Sequence, residues 1–158
     1  MIILGIDPGF ARTGWGVVEY DRGQLKLVDY GCIETTKDED FSDRLNFLYN
    51  EIVKKIKKFK PGIVAVEELF FYKNITTAIK VSHARGVILL AAKRARVPIR
   101  EFTPLQVKQA VSGYGKADKI QVQKMVRALL NLREIPKPDD AADALAIAIC
   151  AACNKLCQ

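Results

Sequence analysis

The sequence predicts a mixed α/β domain in which helices cover both faces of a five-stranded sheet. Three observations predict it. Near the N-terminus, three segments rich in β-formers are separated only by tight-turn residues, the pattern of an antiparallel meander. Farther on, two short apolar segments alternate with long stretches of helical period. From Ala141 to Ala152 every residue except Asp143 is apolar, and a helix that is apolar all round has to be buried.

Met1–Asp7 read as a buried strand that Pro8-Gly9 ends in a turn. Thr13–Tyr20 form a second strand, with the lone Trp15 in the core. Asp21-Arg22-Gly23 is a hairpin turn into a third strand, Gln24–Thr35. Ser42 can cap a helix from Asp43 to about Lys60, since Leu45, Leu48, Ile52, Ile56 and Phe59 recur at helical spacing. Pro61-Gly62 stops that helix, and Ile63–Val66 make a short buried strand leading into Glu67 and Glu68. A long helix is expected from about Thr76 or Thr77 to Arg96, and Val97–Phe102 supply a fifth strand. Thr103 caps the next helix with Pro104 at its first position. Asp118 and Gln121 form a capping box for another, reaching about Leu132. The last helix begins near Asp139 or Asp140. Within the long helix, Val87–Ala92 are apolar on every face. One face packs on the sheet, and a partner subunit is the economical cover for the other, with Gly86 permitting close approach. Another helix of the same chain is the alternative cover.

At 158 residues, 49% of them hydrophobic, the chain suits a single domain, residues 1–158, with a real core. The N-terminus is apolar but short and lacks a basic leader region, and the longest apolar run is too short for a bilayer. A soluble, cytoplasmic protein without membrane contact is expected. The net charge of +7 favours a polyanionic partner through attraction and counterion release. Cations are dense between Lys93 and Arg133, while the run Lys54, Lys55, Lys57, Lys58 and Lys60 reads as a solvated face complementing a helix dipole. Cys150, Cys153 and Cys157 lack an evident fourth metal ligand and read as core packing. His83 reads as a packed or capping residue.

The acids carry the chemistry. Asp143 interrupts the apolar helix, and a buried carboxylate needs a partner or a metal. Asp140 lies on the same helical face. Asp7 and Glu67 sit where the first and fourth strands end, and they face each other if those strands pair. Taken singly, each has a plain reading: Asp7 a turn, Glu67 an exit to solvent, Asp139 or Asp140 an N-cap, Asp143 a buried ion pair. Together, four carboxylates with no His or Cys nearby suit Mg²⁺ or Mn²⁺ over Zn²⁺. They suit two ions about 4 Å apart, which clamp the attacking and leaving oxygens of a phosphodiester. With a basic surface around it, such a site predicts a metal-dependent nuclease.

Five segments in order resemble one family: Ile3-Leu4-Gly5-Ile6-Asp7-Pro8-Gly9, Ala65-Val66-Glu67-Glu68-Leu69-Phe70, Ala84-Arg85-Gly86-Val87, Gln106-Val107-Lys108-Gln109 and the stretch from Asp140 to Ala148. Collinear over nearly the whole chain, they resemble the RuvC family of Holliday-junction resolvases. The resemblance implies a ribonuclease-H-like fold, a homodimer with two active sites, and symmetric nicking of a four-way DNA junction in recombination and repair. It assigns Asp7, Glu67, Asp140 and Asp143 as metal-binding acids, Lys108 and Lys119 as basic positions for DNA binding and catalysis, and Phe70 as an aromatic near junction bases. It also implies the branch-migration proteins RuvA and RuvB as partners. The chain ends soon after the acidic helix, without the longer basic tail of some relatives. Glu68 is a second acid beside Glu67; in a strand only one of the two can aim at the site, and the motif match prefers Glu67.

The expected mechanism has Asp7, Glu67, Asp140 and Asp143 holding two Mg²⁺, with hydrolysis leaving a 5′-phosphate and a 3′-hydroxyl. Lys119, or alternatively Lys108, neutralises charge on the scissile phosphate. Phe70, Phe71 and Tyr72 stack on splayed bases. Gly113-Tyr114-Gly115-Lys116 offers N–H groups and a cation to a phosphate, or simply connects two helices. Two other classes remain in view. A non-catalytic junction-binding module needs the basic surface but not Asp143. A phosphate-binding ATPase shares the early Gly-Ile-Asp-x-Gly, but that architecture needs two lobes and this chain has room for one.

Overall fold

The computed structural model describes residues 1–68 and 75–154, with the side chains of 75 and 76 outside that description. The meander forms as its turns demand. Strands β1 (Ile2–Asp7), β2 (Arg12–Asp21) and β3 (Gln24–Glu34) pair antiparallel in succession. Arg22 and Gly23 take positive φ, 46° and 87°, and close the two-residue hairpin between β2 and β3. Two more strands, β4 (Ile63–Glu67) and β5 (Ile99–Phe102), add in parallel, giving the order β3-β2-β1-β4-β5.

Helices α1 (Phe41–Phe59) and α2 (Ile75–Arg94) cover one face of this sheet. Helices α3 (Pro104–Ser112), α4 (Lys119–Leu129) and α5 (Asp139–Cys153) cover the other. Alternation along β1 divides the two cores. Ile3 packs with Val107, Val126 and Leu145, whereas Leu4 and Ile6 pack with Ile52, Ile56 and Ile88. Trp15 is buried in the second core, and Lys55 lies 4.5 Å over its ring.

Helix α5 lies unusually close to the sheet. A Cβ at Gly5 would come within 2.7 Å of the Ala148 amide nitrogen and press on the Ala144 carbonyl. One at Gly14 would strike the Asp140 backbone, and one at Gly16 would come within 2.7 Å of the Leu145 side chain. Glycine in a strand serves here as the seat for another backbone. The seat fixes α5 so that its N-terminal turn, carrying Asp139 and Asp140, stands over the start of β2.

Several boundaries differ from the sequence expectation. Helix α1 starts at Phe41 behind Asp40, and Ser42 is not its cap. Phe41 stacks on Phe10 with ring centroids 4.9 Å apart, a contact made between remote segments. Helix α2 begins at Ile75 and ends at Arg94, because Arg96 adopts a left-handed φ of 58° and the Val97 N–H turns back to the Ala92 carbonyl. The same closure ends α4 at Leu129, where Asn131 has φ 52° and the Leu132 N–H reaches the Arg127 carbonyl. The expected Asp118–Gln121 capping box forms, and the expected Thr103 cap is itself a capping box with Gln106. Helix α2 packs on α1 but leaves Ile79 and Leu90 exposed, with open space around Gly86. No helix among the described residues is long and apolar enough to cross a membrane.

Candidate active site

Parallel pairing of β1 with β4 sets Ile6 opposite Val66, so the next residues, Asp7 and Glu67, end neighbouring strands at the same edge. Helix α5, seated on the glycines, brings Asp143 above them. Capping by Asp118 starts α4 at Lys119, which places that ammonium beside the acids. The result is a cleft of about 270 Å³ lined by Asp7, Glu67, Asp143, Lys108 and Lys119, with Pro104, Val107, Val122 and Ala146 as its apolar wall. Asp140 is not among the lining residues. It stands beside Arg12, whose Nε is 3.7 Å from its Oδ2 and whose Nη2 is 2.9 Å from Glu34.

The acids are strained by one another and by burial. Burial first, then the charges of Glu67, Asp143 and Asp140, push Asp7 up to about 8. Burial and the charge of Asp143 push Glu67 up to about 7, opposed by Lys108. Asp143 is raised by burial despite its contact with Lys119. Lys119 is itself raised: burial works against its charge, but hydrogen bonds and attraction to Asp143 and Asp139 outweigh that. Its Nζ lies 3.1 Å from Asp143 and 3.3 Å from Asp139. Among the described residues, no three of His, Cys, Asp and Glu converge into a ready-made metal cage. Asp143 pairs with Lys119, and Asp140 lies beside Arg12.

The donor set fits a hard cation. It is all carboxylate oxygen, with no thiolate or imidazole in the cleft lining. Two half-buried acids whose ionisation is held back first by burial and then by neighbouring carboxylates are a site whose charge a divalent ion would balance.

A family model for Crossover junction endodeoxyribonuclease RuvC matches residues 3–151. The chain belongs to the RuvC family. The Crossover junction endodeoxyribonuclease RuvC of Ruminiclostridium cellulolyticum is 60% identical over 150 residues, covering 95% of this chain and 90% of that one. That of Desulfitobacterium hafniense is 61% identical, with 95% and 91% covered. The Thermus thermophilus RuvC, solved in complex with Holliday junction substrate, superposes with a TM-score of 0.91 at 37% identity, covering 99% of this chain and 96% of that chain. The chain therefore has the ribonuclease-H-like fold that the RuvC resemblance implies, and it is an endodeoxyribonuclease by family.

Of the residues singled out from the sequence, the cleft gathers Asp7, Glu67, Asp143, Lys108 and Lys119. Lys116 is exposed on the connector between α3 and α4, outside the lining. Phe70, Phe71 and Tyr72 lie outside the described residues, as does Cys157. Cys150 is buried, which pushes its thiol up to about 12 and agrees with a packing role. His83 is exposed and meets the Phe41 ring edge-on at 5.3 Å. Sequence reasoning missed Arg12, the partner of Asp140, because nothing in one dimension sets the start of β2 beside α5. The strand glycines Gly14 and Gly16 were the available signal that another backbone lies there.

Proposed function

We propose that the chain resolves four-way DNA junctions by hydrolysing a phosphodiester in two symmetric positions, using Asp7, Glu67, Asp140 and Asp143 to hold two Mg²⁺, with Mn²⁺ as a substitute. The observation that carries this is the meeting of half-buried carboxylates from β1, β4 and α5 in one cleft, in a chain matched to the RuvC family over residues 3–151. When bound, such ions acidify the attacking water and stabilise the departing 3′-oxygen. Asp7 and Glu67, half-buried at the ends of β1 and β4, anchor one side of the cleft. Asp143, which contacts Lys119, would be the α5 ligand to a cation held in the cleft. Lys119, which also contacts Asp139, would neutralise charge developing on the scissile phosphate, and Lys108, lining the same cleft, would hold the DNA strand. Products are a 5′-phosphate and a 3′-hydroxyl.

Residues 1–158 act as one nuclease domain in this reading. Two copies pair through α2, whose exposed Ile79, Gly86 and Leu90 suit a helix-to-helix contact, and the two clefts cut two strands. Phe70 engages junction DNA on the strength of the resemblance, Phe71 and Tyr72 by stacking beside it and Lys116 as a phosphate contact, and RuvA and RuvB are the partners that the resemblance implies. The protein works in the cytoplasm. A cleavage assay on a synthetic four-way junction tests the proposal. Wild type should nick in Mg²⁺ or Mn²⁺; Asp143→Asn should bind the junction as well or better and not cut it. Equal cutting by the variant would refute the assignment.

A further inference from the structure

We infer that Arg85 is a positioning residue that aims Glu67 into the cleft by holding the last carbonyl of β4. Glu67 is the final residue of that strand. On its β5 side the ladder closes with the Glu68 N–H donating to the Phe102 carbonyl at 2.8 Å. The Glu67 carbonyl itself accepts from Arg85 Nε at 3.3 Å, a donor that comes from α2. The same guanidinium pairs through Nη2 with Glu101 of β5. Ala84, fully buried beside it, pins this turn of α2 to the core.

The consequence follows from peptide planarity. Fixing the Glu67 carbonyl fixes the plane of the peptide between Glu67 and Glu68. That sets the backbone direction at Glu67, and with it the exit of its side chain. Release of the carbonyl leaves the end of β4 anchored on one side only. Glu101 completes the device by orienting a planar fork that Lys cannot reproduce. Arg85 thus acts through Glu67 and does not line the cleft.

The inference rests on the reading of Glu67 as a metal ligand, and the experiment separates the two. Mn²⁺ is titrated calorimetrically into the full-length protein without DNA, as wild type, Arg85→Ala, Arg85→Lys, Glu101→Gln and Glu67→Gln. Junction binding in EDTA is measured alongside. Arg85→Ala should raise the Mn²⁺ midpoint about 10-fold, the scale of lost supporting hydrogen bonds around a metal site. Glu101→Gln should raise it by less and Arg85→Lys should recover part of the loss, with junction affinity in EDTA unchanged throughout. An unmoved midpoint in Arg85→Ala overturns the inference. So does a weaker junction affinity whose salt slope falls by about one, which marks a DNA contact. If Arg85→Ala does not fold, Glu101→Gln decides by the same titration, since freeing an Arg that touched DNA would leave the Mn²⁺ midpoint alone. Glu67→Gln binding Mn²⁺ like wild type would topple the ligand reading and the brace together. A Glu67→Gln loss with Arg85→Ala unaffected would topple the brace alone.

Discussion

Replacing Asp7 by Asn should make the metal-free protein more stable, by an amount that grows with pH. Asp7 has an ordinary value of 3.8 and is pushed up to about 8 by burial and by the facing acids. Its folded pKa stands above its unfolded one. The stability it contributes is therefore full below about 3.8 and is lost as pH rises through the window to about 8. Across that window the unfolded chain is ionised while the folded chain keeps the proton. Stability then falls by about 1.4 kcal/mol per pH unit at the steepest, several kcal/mol in all. Asn is nearly the same size and has no such ionisation. Urea unfolding in EDTA at pH 5, 6, 7 and 8 should show Asp7→Asn overtaking wild type, with the gap widening at each step. Saturating Mg²⁺ should narrow the gap, because only wild type offers the full site; a ligand at 100 times its Kd stabilises by about 2.7 kcal/mol, less than the loss accumulated by pH 8. A gap independent of pH, or a wild type more stable than Asp7→Asn in EDTA at pH 8, would refute the account of a carboxyl whose proton is held by burial and by the facing acids.

Two further outcomes follow from the geometry. Gly5→Val puts a side chain into the Ala144–Ala148 turn of α5, so it should lower stability by about 1–3 kcal/mol or more and reduce cleavage by shifting the α5 acids, as read by thermal melting and nicking rate together. Lys119→Ala removes an ion pair whose lysine is half exposed, so the melting temperature in EDTA should hardly move. Its cleavage rate should nevertheless fall by about 10²-fold at saturating metal, and an unchanged rate would remove Lys119 from the reaction.

The order of elements, the Thr103 cap, the Asp118–Gln121 capping box and the burial of the last helix were legible in the sequence because each depends on local spacing. Asp143 stood out for the same reason: a single charge in an apolar helix is visible in one dimension. Asp7 and Glu67 were legible as acids at two strand ends, and the RuvC-like motifs preferred Glu67 over Glu68. Helix starts and stops were less legible, since Phe41 is drawn into α1 by Phe10 from a distant turn and α2 stops at a left-handed Arg96.

Residue types and their order determined by themselves that this chain folds as a mixed α/β nuclease with four acids available for a hard cation. Tertiary structure alone decided how those acids are disposed. Seating α5 on Gly5, Gly14 and Gly16 puts Asp143 over Asp7 and Glu67 and puts Asp140 within reach of Arg12. It also gave Asp139 its partner, Lys119, and Arg85 its two, Glu101 and the Glu67 carbonyl. Such pairings span elements far apart in the chain. They depend on where packed backbones come to rest, and no local spacing encodes that.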